Sequence, residues 1–333
     1  MNTTLRWLAA IAAALLLTLL ALLSLAVGYI DTPLPRLLQG AWQGELIPSR
    51  ILLDLRLPRT LLCLAVGAAL GMAGAALQGL LRNPLAEPGL LGVSNGAALG
   101  AVLALYTGLS GAFALALPLA GMAGTAAAVG LVFALAGRQA STTLLILAGV
   151  AVSAMAGALI ALVMNWTKNV YALQEIVFWL MGSLADRSQR EVALALPFIA
   201  LGLALLLRAR RGLLALSLGE ETAHSLGVNV ARLRTLVLLG TAASVGAAVS
   251  VSGSIGFIGL VAPHLMRPLA RGNPAQLLPL AAWAGAALLL LADLGVRWLY
   301  VGGQELRLGV LTALVGAPFF LLLILRLHRE GRA

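Results

Sequence analysis

The chain has 333 residues, 61% of them hydrophobic and only 10% charged. Soluble globular chains run at about 45–50% apolar and roughly 25% charged, so this composition excludes an ordinary soluble domain. The formal charge is +10, from 22 Lys and Arg against 12 Asp and Glu; these charges fall between apolar runs, where they set orientation in a membrane rather than contact nucleic acid.

The apolar runs are long and continuous, unlike the short alternating segments of a transmembrane barrel, and 37 glycines suit close helix approach in lipid. A spanning helix needs about 20 mostly apolar residues. On that length the expected spans are 7–28, 60–81, 89–107, 112–136, 142–165, 192–207, 235–251, 254–270, 275–296 and 308–325. The reading is an all-α polytopic membrane protein of about ten helices, one transmembrane domain over 1–333. The first run exceeds the roughly 7–15 residues of a signal-peptide core and is read as a span. The sixth is short and the eighth is broken by glycine. With both termini inside, thirteen basic and four acidic residues fall at the inner ends, against nine and eight at the outer ends. Basic residues favour the cytoplasm, so both termini are expected there, in the cell inner membrane.

Between the spans, 29–59 is polar, proline-punctuated and predicted periplasmic. Cys63 is the single cysteine and lies inside an apolar run, so no intramolecular disulfide can form. Over 166–191, Trp166, Tyr171, Phe178 and Trp179 suit the membrane interface, and a short re-entrant or surface helix is expected over 173–184. The loop 208–234 is predicted cytoplasmic. It carries an apolar piece, 213–218, and then a stubby helix, 220–226: Glu220 and Glu221 suit a first turn and Gly227 a helix end. Its length suggests a docking surface; a membrane-surface helix without a partner is the other reading. A faint echo, Gly67-Ala68-Ala69 with Gly74 and Pro84 against Gly246-Ala247-Ala248 with Gly253 and Pro263, suggests inverted repeats.

Some chemistry is missing. A P-loop requires a lysine on the phosphates, and the only lysine, Lys168, sits in Trp166-Thr167-Lys168-Asn169. ATP, if used, is bound elsewhere. Ion-coupled carriers need ionisable groups within the membrane, and the spans are nearly empty of them. Asp293 and Arg297 are spaced i,i+4, which fits a local ion pair or a surface role for Arg297. His264 has no nearby Cys, Asp or Glu with which to share a metal and reads as a structural hydrogen bonder. No catalytic constellation and no metal site is expected, so the chain is not read as an enzyme.

One ordered set of motifs goes further. Arg56-Leu57-Pro58-Arg59-Thr60 opens the second span, and Gly67-Ala68-Ala69-Leu70 and Gln78 follow it. Next come Asn83-Pro84-Leu85-Ala86-Glu87-Pro88-Gly89 through Gly96-Ala97, then Leu218-Gly219-Glu220 and Leu226-Gly227. Gly256-Phe257-Ile258-Gly259-Leu260-Val261-Ala262-Pro263-His264 and Glu305-Leu306 close the set. From about residue 50 to 326 the chain resembles the iron-chelate and cobalamin permease family of type II ABC importers. The 83–97 stretch is most similar to cobalamin permeases, with Glu87 where siderophore permeases typically carry Asp. Gly182-Ser183-Leu184 is more similar to siderophore and haem permeases.

The resemblance implies the type II importer fold and a homodimer with the substrate path on its axis. It implies two cytoplasmic ATPase subunits holding ATP and Mg, a periplasmic substrate-binding protein, and no cofactor on this chain itself. By matching positions, Arg56, Arg59 and Arg297 dock the binding protein, with positioning of helices as the alternative role. Asn83, Leu85, Thr142 and Thr143 form the cytoplasmic gate, the threonines being otherwise ordinary helix caps. Leu218, Gly219, Glu220, Glu221, His224, Leu226 and Gly227 couple to the ATPase. The implied cargo is cobalamin, with ferric siderophore or haem as alternatives; an ion-coupled secondary transporter and a membrane scaffold are the rivals from other classes.

Overall fold

The computed structural model describes residues 3–28, 30, 32–137, 141–299 and 305–329, with side chains from 11 to 325. Of the charges weighed for orientation, Asp31, Arg138, Glu330 and Arg332 lie outside the described residues, as do the side chains of Arg6, Arg326 and Arg329.

Every expected span coincides with a helix. They are α1 (Thr3–Ala26), α4 (Leu57–Leu81), α5 (Val93–Tyr106), α6 (Ala116–Ala136), α7 (Thr142–Trp166), α9 (Gln189–Leu216), α11 (Val230–Ser252), α12 (Ile258–Ala270), α13 (Pro274–Trp298) and α14 (Leu308–Arg329). Among the described residues, seven helices are long and apolar enough to cross a membrane. Helices α5 and α12 have 14 and 13 residues, or about 20 Å of rise each, short of a hydrocarbon core of about 30 Å. Each is preceded by a non-α stretch: a 3₁₀ turn at Pro88–Leu91 before α5, and residues 253–257 before α12.

Helix α4 is the hub, packed by α9, α11, α12 and α13. Close approach to α13 is possible because glycines and alanines line the crossing. A methyl group on Gly67 would sit 2.4 Å from the Gly285 carbonyl oxygen, and one on Gly71 would sit 2.1 Å from that of Ala281. In lipid, where apolar burial drives little association, such backbone contact is the main adhesive.

Three local expectations change. The sixth span is not short. Helix α9 runs 28 residues past the apolar core because Leu206, Ala209, Leu213 and Leu216 are buried on one stripe while Arg208, Arg210 and Arg211 face outward. The expected separate piece 213–218 is therefore mostly the end of α9, and the true connector to α11 is 217–229. The stretch 29–59 is largely helical rather than open. It contains α2 (Leu34–Trp42), α3 (Leu46–Arg50) and a π-helical turn, Ile51–Arg56, leading straight into α4. The surface helix, α8, spans Val170–Leu180. It starts early because Asn169 Oδ1 accepts from the Tyr171 and Ala172 amides, and it stops before Gly182, whose φ is 69°.

The two triplets of the sequence echo both lie within helices, Gly67-Ala68-Ala69 in α4 and Gly246-Ala247-Ala248 in α11, while the later positions differ. Gly74 lies inside α4 and Gly253 just past the end of α11 at φ 70°, and Pro84 sits in a turn while Pro263 sits within α12.

Candidate functional site

At one end of the bundle, α1, α4 and α13 are tied by a buried ionic cluster. Asp293 is fully buried. It accepts from Arg59 Nε at 2.9 Å and Nη2 at 2.7 Å, and from Arg297 one turn along α13. Arg59 reaches Glu305 as well. Arg297 donates to the carbonyls of Ser24 and Val27, each at 2.7 Å. Arg56 donates to those of Leu25, Ala26 and Ile30. The carbonyls ending a helix lack intrahelical partners and carry its negative dipole end, so two guanidiniums cap α1 from neighbouring helices. A hydrogen bond of 2.8 Å between Ser24 and Thr60 completes the joint. The π turn, a geometry frequent at functional sites, ends at Arg56, so the winding just before α4 sets the direction of this side chain.

The structure brings Arg56, Arg59 and Arg297 into one cluster, at 5%, 7% and 8% exposure. Each is already engaged within the chain, which is the helix-positioning role. All three also line a small recess of about 90 Å³, with Asp186 among its other lining residues. Asp293 and Arg297 do form the expected ion pair. Ser24, Thr60 and Glu305 were not legible as members, because the bonds that recruit them link residues 36 to 273 positions apart.

Toward the other end, α4 stops at Arg82, in left-handed conformation. Asn83 Oδ1 then accepts from the Leu85 amide at 2.9 Å, forming an Asx turn. The loop runs along α7: a methyl on Gly149 would sit 2.5 Å from the Leu90 carbonyl oxygen. Ser153 Oγ donates to the Gly89 carbonyl at 2.8 Å, and Asn95 Nδ2 lies 3.1 Å from that hydroxyl. Ser153 is thus a clamp that no motif flagged. Burial pushes the Glu87 carboxyl above its usual range. Thr142 and Thr143 open α7, but the cap is Ser141, whose hydroxyl accepts from the Leu144 amide. The helix-cap alternative for the two threonines therefore fails.

The connector holds α10 (Glu220–Ser225), framed by Gly219 at φ 114° and Gly227 at φ 80°. Leu226 follows the last helical residue instead of belonging to the helix. Ala223 is fully buried beneath the helix, and Glu220 pairs with Arg234 at 2.7 Å. Leu218 and Leu226, by contrast, are 65% and 61% exposed on either side of it. Glu221 and His224 also face outward. The stub thus leaves two leucines bare, one on either side of it. His264, in α12, stands edge-on to Phe319 with centroids 5.6 Å apart.

Comparison with known proteins agrees with this architecture. The hemin transport system permease protein of Yersinia pestis is 42% identical over 299 residues, covering 85% of either chain. A vitamin B12 import system permease protein of Escherichia coli is 39% identical over 327 residues, covering 97% of this chain and 96% of its own. A solved structure of a metal-chelate type ABC transporter, in an inward-facing conformation, superposes with a TM-score of 0.83 at 34% identity, over 95% of this chain and 98% of that one. The FecCD transport family matches residues 16–326, and the chain, a multi-pass membrane permease subunit of an ABC importer, belongs to that family.

Proposed function

We propose that this permease carries cobalamin across the cell inner membrane, with both termini cytoplasmic. Two copies form the conduit, a periplasmic binding protein delivers the cargo, and two ATPase subunits hydrolyse ATP with Mg.

The observation that carries the reading is an uncharged recess of about 670 Å³ between the end of α8, the stretch before α12 and α14, in which Ser254 is the one polar side chain among the lining residues. A small ion would find no ligand there, whereas a bulky chelate would slide past Gly256, Gly309, Val310 and Ala313 without being trapped. In the proposed dimer a second copy faces this wall. Cobalamin is preferred among chelates for the 83–97 stretch and for the vitamin B12 permease relative that matches nearly the whole chain.

The loop at Asn83 and Leu85, with Thr142 and Thr143 at the start of α7, serves as the cytoplasmic gate. The α10 stub and its flanks, Leu218 to Gly227, receive the ATPase. For Arg56, Arg59 and Arg297 the docking role takes a specific form: an acidic side chain of the binding protein enters the small recess they line, and the arginines keep their internal bonds. Bidentate guanidinium–carboxylate geometry suits such an entry.

Proteoliposomes holding this chain with its ATPase and binding protein test the reading. Uptake of radiolabelled cobalamin should require ATP and should exceed uptake of haem or a ferric siderophore. Uptake driven by an ion gradient without the ATPase would overturn the importer mechanism, and a preference for haem or siderophore would overturn the cargo.

A further inference from the structure

A second recess, of about 340 Å³, lies where α4 and α12 end and α13 begins; Gln78, Arg82, Ser217, Arg267 and Asn273 are among its lining residues. Gln78 is only 5% exposed. Its Oε1 accepts from Arg267 Nη2 at 2.8 Å. The other end of the amide, Nε2, is buried with no hydrogen-bond partner. A buried donor without an acceptor is costly and uncommon in folded proteins. Around it stand the half-buried Arg267 and the exposed Arg82, and no carboxylate lines the recess. Among the lining side chains that can accept, Asn273 already receives the Ala275 and Gln276 amides on Oδ1. Ser217 donates its hydroxyl proton to the Leu214 carbonyl and could still accept, but Gln78 Nε2 makes no bond to it. What remains is a set of donors: one buried amide and two guanidiniums.

Arg82 and Arg267 would also offset the negative ends of α4 and α12, but that role leaves the Gln78 donor unmatched. A carboxylate offers two oxygens to the three donor groups that line the recess, whereas a phosphate offers more; arginine holds either bidentately. We propose that this recess binds a phosphate group, supplied either by the headgroup of an anionic phospholipid or by free phosphate. The recess is distinct from the arginine cluster, the gate loop and the coupling stub.

The full-length chain in detergent is exposed to vesicles of phosphatidylcholine with or without phosphatidylglycerol, and retained lipid is read by native mass spectrometry. In parallel, thermal unfolding is followed in inorganic phosphate against chloride at matched ionic strength. Retention of phosphatidylglycerol by the wild type assigns the lipid source, and a phosphate-dependent rise in Tm assigns free phosphate. Arg267→Lys, Gln78→Leu and the exposed-site variant Arg82→Ala should each weaken whichever effect is seen, on the order of tenfold in affinity. Because Arg82 is exposed, its variant keeps the test valid if a buried substitution fails to fold. No lipid preference together with no phosphate effect overturns the proposal, as does a preference unchanged in all three variants.

Discussion

The buried cluster at Asp293 makes a quantitative claim. Asp293→Asn keeps the shape of the side chain and removes its charge. Of Arg59 and Arg297, both under 9% exposed, Arg59 would then keep Glu305 as its carboxylate, and Arg297 would be left with the Ser24 and Val27 carbonyls and the Ser24 hydroxyl. Breaking one partner out of a buried ion pair costs about 3–5 kcal/mol, because the remaining charge stays desolvated. The conversion of about 2–4 °C per kcal/mol holds for roughly 150–250 residues and shrinks with length, so for 333 residues the apparent Tm in detergent should fall by a few degrees. The loosened part should be specific. Hydrogen exchange should rise at the end of α1, whose carbonyls are held by Arg56 and Arg297, before it rises in α6 or α9. Arg36→Ala is the control, since it removes an exposed pair, Arg36–Glu45, of a kind worth about 0–1 kcal/mol. An Asp293→Asn protein that melts with the wild type and shows no added exchange in α1 would refute the account of the cluster as the joint between α1, α4 and α13.

Other expectations follow from the packing and the loops. Gly71→Leu at the α4–α13 crossing should prevent stable folding or lower Tm sharply, since even a methyl there would sit 2.1 Å from a backbone oxygen and overpacking typically costs about 1–3 kcal/mol or more; size-exclusion profiles in detergent check this. Ser153→Ala, which removes the clamp on Gly89, should cost roughly 1 kcal/mol and open the 83–92 loop to limited proteolysis. Leu218→Asp with Leu226→Asp should abolish co-purification of the ATPase while leaving Tm within about a degree, both side chains being largely exposed. Glu87 holds its proton in the folded chain at pH values where the unfolded chain has lost it. Stability should therefore decline as pH rises from the ordinary glutamate range through the raised value. Glu87→Gln should flatten that part of the pH–Tm curve.

The sequence alone determined the class of molecule. Ten apolar runs separated by charge are a property of solvent partition, which depends on composition over about 20 residues and on little else, and every one of them became a helix. The lack of a P-loop and the charge-poor spans were equally local facts. So were the glycine-framed stub at 219–227 and the Asn83 turn, whose partners lie within a few residues.

Tertiary structure decided what the arginines do. For Arg56, Arg59 and Arg297 the sequence left docking at the surface and positioning of helices both open, and the carbonyls and carboxylates they meet come from helices up to 273 residues away, burial being a property of that assembly. The length of α9 was decided in the same way, since a helix that leaves the apolar layer persists only if another element covers its leucine stripe. The orphaned Gln78 donor is invisible without the recess around it, because hydrogen-bond satisfaction is counted in space and not along the chain.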